Sequence, residues 1–184
     1  KILLISSLSA YSFLAWFIIM GGRVFSLGIG NSLTITEVMP DPKGDDSIYE
    51  WIEVKNFSTG NINLKDWQLN GKSLPDTQIK PDEIIILAHD VNAVRSLYNI
   101  SNNIVKAAYS LTNTGATLEL KGAGEPYKFT YPKAKENISF EILSGDCGTI
   151  QPNPNGNSIG KINNPCFTPA VNGVPTTIKT VIPQ

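Results

Sequence analysis

Four carboxylates, Asp41, Asp45, Asp46 and Glu50, fall inside one ten-residue stretch of this chain. Calcium takes six to eight oxygen ligands from flexible loops, so this group is the candidate cation site. Its spacing is not that of an EF-hand loop, and turns favour Asp for their own backbone geometry. A solvated acidic turn is the simpler reading, and no metal is assigned. Glu37, Glu50 and Glu53 form a second set, of the paired kind that glycosidases use. Nothing else in the chain supports hydrolysis, so these are read as structural. Glu37 follows Ile35 and precedes Met39 at period two, which predicts that it is drawn inward with them. A carboxylate placed there needs a partner such as Lys55 or a set of backbone N–H groups. His89 is the single imidazole, and without a serine or cysteine in a nucleophile motif it is no base for a triad. The triplets at Asn56, Asn99 and Asn137 fit the glycosylation sequon at about chance frequency. There is no Gly-rich phosphate loop. No catalytic residue and no cofactor is assigned.

Two tryptophans could serve as contact platforms. Trp67 shares a face with Leu69 and reads as core. Trp51 shares its face with Glu53 and Lys55, which predicts partial exposure, and Trp51 with Glu53 is the binding candidate. The two cysteines, Cys147 and Cys166, lie in the last quarter, too far apart and too short of histidine for a zinc site. In an oxidising compartment a disulfide between them, closing a loop of about 20 residues, would contribute roughly 2–4 kcal/mol.

These residues sit on strands. Alternating or apolar runs recur at 33–38, 49–56, 61–64, 67–71, 84–89, 116–122, 126–132 and 137–143, separated by turn residues. Ile52 and Val54 fall on one face of the second run and Trp51, Glu53 and Lys55 on the other. Leu118 and Leu120 point inward, and Tyr127, Phe129 and Tyr131 share a face. One helix interrupts the strands: Asp90 is its N-cap, and Val91, Val94 and Tyr98 recur at helical spacing, enough to cover one end of a sandwich. The pattern predicts an all-β sandwich or barrel with one short helix.

Residues 2–20 carry no charge and are mostly apolar, with Lys1 ahead of them. They are expected to form an apolar N-terminal helix, either a signal peptide or a membrane anchor, so residues 1–30 are set apart as an export segment. That segment contains Lys1 and Arg23 and no acid, leaving 13 of the 15 basic side chains against all 16 acidic ones, a net charge of −3. A weakly acidic domain has no electrostatic footprint for nucleic acid. The division expected beyond it is a sandwich over 31–145, a disulfide-clipped turn segment over 146–166, and a flexible linker over 167–184. The sparse apolar residues of the clipped segment, Ile150, Ile159 and Ile162, predict that packing alone holds it poorly.

At five places the strands resemble the lamin tail domain, of the kind found in bacterial surface proteins. Ile35 to Pro42 resembles the N-E-[IV]-M-P-x-P opening, with Thr36 in place of Asn. Glu50 to Asn56 resembles E-W-I-E-L-x-N, with Val54 in place of Leu. Leu64 to Leu69 is similar to L-x-x-W-x-L, Ile79 to Glu83 to I-x-P-G-x with Asp82 for Gly, and Leu111 to Ala116 to L-x-N-x-G-D without its acid. The resemblance spans roughly residues 33–145 and implies an immunoglobulin-like β-sandwich used as a protein module without catalytic residues.

The resulting expectation is a non-enzymatic, extracytoplasmic binding or scaffolding module, secreted or anchored at the cell surface. Its partner would be a protein or cell-surface component, with the membrane itself contacted through an uncleaved leader. The alternative is an accessory domain of a larger surface enzyme, a nuclease or other hydrolase, whose catalytic part lies beyond Gln184.

Overall fold

The computed structural model describes residues 18–20, 23–25, 32–144 and 148–166. The chain forms two compact units, residues 1–30 and 31–184. In the first, β1 (Ile18–Met20) pairs antiparallel with β2 (Arg23–Phe25). The end of the apolar stretch is therefore strand, not helix; residues 1–17 lie outside the described residues, and so does their expected role as leader. No helix among the described residues is long and apolar enough to cross a membrane.

The second unit is a β-sandwich. Its larger sheet contains β3 (Leu33–Met39), β4 (Trp51–Asn56), β9 (Ile84–Ala88), β10 (Asn103–Lys106), β13 (Phe140–Ile142) and β14 (Ile150–Pro152), in the order β10-β9-β4-β3-β13-β14. The smaller contains β6 (Gln68–Leu69), β7 (Lys72–Ser73), β11 (Ala116–Lys121) and β12 (Tyr127–Tyr131), in the order β12-β11-β6-β7. A two-stranded ladder of β5 (Ile62–Asn63) and β8 (Gln78–Ile79) completes it. The alternation read from the sequence puts Ile52, Val54, Leu118, Leu120 and Phe129 between the sheets, where all are fully buried. This is the immunoglobulin-like architecture that the resemblance implied, with two short helices in place of one. The additional helix, α1 (Asp46–Tyr49), is a single turn capped by Asp45.

The register of β3 corrects one face assignment. Ile35 pairs with Val54, but the next partners are Glu37 with Glu53 and Val38 with Ile52, so Thr36 is an extra residue in the strand. Such a bulge reverses the alternation. Leu33, Ile35 and Val38 enter the sandwich core, while Glu37 and Met39 turn to the outer face of the larger sheet.

That outer face is itself covered. The only parallel pair in the larger sheet is β9 with β10, and parallel neighbours require a crossover. The crossover is α2 (Val91–Tyr98), whose N-cap Asp90 accepts from the N–H groups of Asn92 at 3.0 Å and Ala93 at 2.9 Å. Instead of covering an end of the sandwich, α2 lays Val91, Val94 and Tyr98 over Met39, Trp51, Ile86 and Ala88, with Ile159 beside them. Trp51 is fully buried there, edge-on to Tyr98 at 5.9 Å between ring centroids. Trp67, by contrast, is half-buried against the main core, with Gly122 beneath its ring: a Cβ at Gly122 would lie 2.9 Å from it. The expected order of exposure for the two tryptophans is therefore inverted.

The segment expected to be a loosely held appendage is also part of this structure. Within it, β14 extends the larger sheet beside β13, and residues 153–164 cross the outer face of β3 and β13.

Candidate ligand-binding site

Three glutamates stand side by side on adjacent strands under that crossing segment. Glu141 pairs with Glu37, and Glu37 with Glu53. Like charges directly opposite on a sheet repel, yet all three are essentially buried. Each is satisfied by donors from the C-terminal segment. Glu37 accepts from Ser158 N–H at 2.8 Å, from the Ser158 hydroxyl at 2.7 Å and from the Ser139 hydroxyl. Glu53 accepts from Gly160 N–H at 2.8 Å and the Thr36 hydroxyl at 2.6 Å. Glu141 accepts from Asn164 through its N–H at 3.1 Å and its side-chain amide at 2.6 Å. Asn163 bonds the carbonyls of Thr36 at 2.8 Å and Ile142 at 2.9 Å. The partner foreseen for Glu37 as Lys55 or backbone N–H groups is thus a backbone N–H with two hydroxyls. Lys55 pairs with Asp82 at 3.5 Å.

Burial raises the pKa of Glu37, against the hydrogen bonds from Ser139 and Ser158 and with help from the Glu141 charge. Burial pushes Glu53 up to about 8, with the Thr36 bond opposing and the Glu37 charge adding to it. The Lys55 charge and the Gly160 N–H oppose the shift of Glu53 less than burial drives it, so near neutrality Glu53 keeps its proton. Their donors are consumed in holding the segment down. They do not form a solvent-facing acid–base pair.

Beside the row, the same face opens into a recess of about 280 Å³. Glu53, Thr36 and Asn163 form its polar side, and Ile84, Ile142 and Leu143 its apolar wall. Phe57 and Ile162 stand at the rim with 56% and 80% of their surface exposed. Leu97 is the third large apolar side chain with comparable exposure among the described residues, so two of the three converge on one recess. Lys55 and Lys161 also line it. The Lys55 ammonium lies 4.9 Å from the centroid of the Phe57 ring, whereas Lys161 makes no ion pair among the described residues.

A second recess, about 380 Å³ and more polar, lies at the junction of α1 and β4. Glu50 Oε2 is 4.0 Å from His89 Nε2, and the His89 ring lies 4.2 Å from that of Tyr109. The Tyr109 hydroxyl is within donating distance of the carbonyls of Glu50 at 2.9 Å and Leu87 at 3.2 Å. Burial, aided by the Asp46 charge, raises Glu50 to about 7, and burial with Lys72 and Lys106 lowers His89. Neither Ser47 nor Ser110, which line this recess, forms a hydrogen bond to His89 that would make it a nucleophile.

The other sequence candidates are dispersed. Trp51 has no exposed surface, a correction to its reading as a contact platform, and Glu53 is buried but lines the recess. Asp45 accepts from Ser47 N–H at 2.9 Å, and Asp46 accepts from the Asn113 amide at 2.9 Å. Asp41 does not join Glu50, and among the described residues no three acidic, His or Cys side chains converge to hold a metal ion. The candidate calcium set is a capped turn. Cys147 lies outside the described residues, and with it the expected bridge to Cys166. Sequence reasoning missed Phe57, Lys161 and Glu141. Of these only Phe57 carried a signal, an aromatic directly after a strand.

Searches of curated proteins and of solved structures return no match. Residues 30–158 match the family model described as the Lamin Tail Domain, and the chain belongs to that family.

Proposed function

We propose that this chain is a non-enzymatic binding module that works outside the cytoplasm, secreted or held at the cell surface, and that it meets its partner through the recess rimmed by Phe57 and Ile162. The observation that carries the reading is the convergence of those two exposed apolar side chains on one ligand-sized concavity, walled by Ile84, Ile142 and Leu143. Contact sites are concave and mainly apolar with a few polar groups that fix orientation. The apolar, uncharged stretch at 2–20 supports export. The lamin-tail fold supports a modular, partner-holding role by analogy only.

The test uses the source organism. The full-length protein is fractionated, and the double variant Phe57→Ser/Ile162→Ser is compared with the parent. The parent is expected in the exported fraction, sedimenting with its surface partner. The variant is expected to be exported, folded and released into the soluble exported fraction. Recovery of the parent from the cytosol overturns the location, and equal sedimentation of parent and variant overturns the contact face.

A further inference from the structure

We propose that the recess between Phe57 and Ile162 binds a small amphiphilic monocarboxylate, an apolar body of medium length ending in one carboxylate. The inference rests on the reading of this face as the recognition surface and names the ligand class it takes.

Size comes first. A volume of about 280 Å³ holds roughly nine groups of water size, at about 30 Å³ each. An eight-carbon acid fits that space. Polarity follows the same direction: the wall is made of Ile84, Ile142 and Leu143, and the rim side chains Phe57 and Ile162 extend the apolar surface outward.

Charge then selects the head group. Two lysines, Lys55 and Lys161, line the recess. Lys161 has no ion-pair partner among the described residues, and Lys55 has only the exposed Asp82, at 3.5 Å. Two cations over an apolar wall create a positive potential that an anion relieves. The one acid on the wall is Glu53, which faces Glu37 on β3 and Lys55 on its own strand, with Glu141 one strand further on. Burial keeps it protonated around neutrality, so it does not repel an incoming carboxylate. The second recess has the opposite character. It is lined by Asp46 and Glu50 and would reject the same ligand.

The experiment titrates octanoate into the purified full chain by calorimetry, with octanol and octylammonium as probes of equal length. Octanoate is expected to bind saturably and about tenfold more tightly than either control. Lys161→Gln should weaken octanoate severalfold, and higher ionic strength should weaken it as well. Ile162→Ser should weaken octanoate and octanol alike. Both residues are exposed, so both variants are expected to fold, with melting curves that match the parent's. Indifference to Lys161→Gln, or equal affinity for octanol, overturns the carboxylate assignment. Absence of saturable octanoate binding overturns the ligand class. If the rim double variant is nonetheless released from its surface partner, the recognition reading survives that failure; if octanoate binds while sedimentation is unchanged, the proposed function fails alone.

Discussion

Raising the pH from about 5 to about 9 should loosen this sandwich, and Glu53→Gln should abolish much of that loss. Glu53 titrates in the folded chain at about 8, against 4.5 for an ordinary glutamate. A carboxyl whose folded pKa is raised stabilises the fold fully below its unfolded value, and that contribution is lost as pH rises through the folded value. The window is therefore about 4.5 to 8, in the direction of alkaline loss. The interval of about 3.5 units, at about 1.36 kcal/mol per unit, sets a ceiling near 5 kcal/mol. Glu37 is raised for the same reason and acts with the same sign, and because the two carboxylates face each other they titrate as a set. For a domain of this size about 1 kcal/mol corresponds to roughly 3 °C, so the melting temperature should fall by roughly 10 °C or more. Glutamine at position 53 stays neutral at every pH. Its carbonyl can accept the Gly160 N–H while its amide donates to the Thr36 hydroxyl. The assay is calorimetry of parent and Glu53→Gln across the range. A parent whose melting temperature is flat or rises from pH 5 to pH 8, or a variant with an undiminished slope, would refute the reasoning.

Trp51→Ala should cost about 3–5 kcal/mol in denaturant unfolding and Trp67→Ala clearly less, because only Trp51 is fully enclosed; equal losses would contradict the two-layer packing. Gly160 has φ +69, and a Cβ there would lie 2.2 Å from Asn102 Oδ1, so Gly160→Val should lift residues 153–164 from the sheet and speed amide exchange at Ser158 and Asn164 more than elsewhere. Asp90→Ala should cost about 1 kcal/mol by removing the two N–H bonds at the start of α2, read from chemical denaturation. Intact-mass analysis of alkylated, non-reduced protein should find no labelled thiol at Cys147 or Cys166; two labels would exclude the bridge and weaken the case for export.

The core strands were legible because their alternation is clean. Ile52 and Val54 against Trp51 and Glu53 could be assigned to opposite faces from period two alone. The N-cap at Asp90 was equally readable, since an acidic cap before Val91, Val94 and Tyr98 has few competing interpretations. What alternation cannot show is a change of phase. The extra residue at Thr36 leaves the composition of the strand unchanged, yet it sends Glu37 to the opposite face. Two-residue strands such as β7 and β8 carry no period at all. The strand β10 was hidden because its partner β9 precedes a helix, and β14 because its residues Ile150–Pro152 sit among turn formers. Alternation alone predicts partial exposure for outward-pointing Trp51 and Glu53, because the sequence gives no sign that a further layer lies over them. That layer is partly polar: Ser158, Gly160 and Asn164 hold it through hydrogen bonds to Glu37, Glu53 and Glu141, the first two more than a hundred positions away, and Asn163 through the carbonyls of Thr36 and Ile142. Such pairings leave no local pattern. The recess inherits the same opacity, since its wall and rim come from β4, β9, β13 and the crossing segment.

Site-specific photo-crosslinking in the exported fraction tests the central claim most directly. A photoreactive side chain is placed at Phe57, at Ile162 or, as a control, at Leu97, which is 45% exposed on α2. A discrete adduct is expected from positions 57 and 162, suppressed by excess octanoate, and none from position 97. Adducts from position 97 alone, or equal adducts from all three, would contradict the assignment of recognition to this recess.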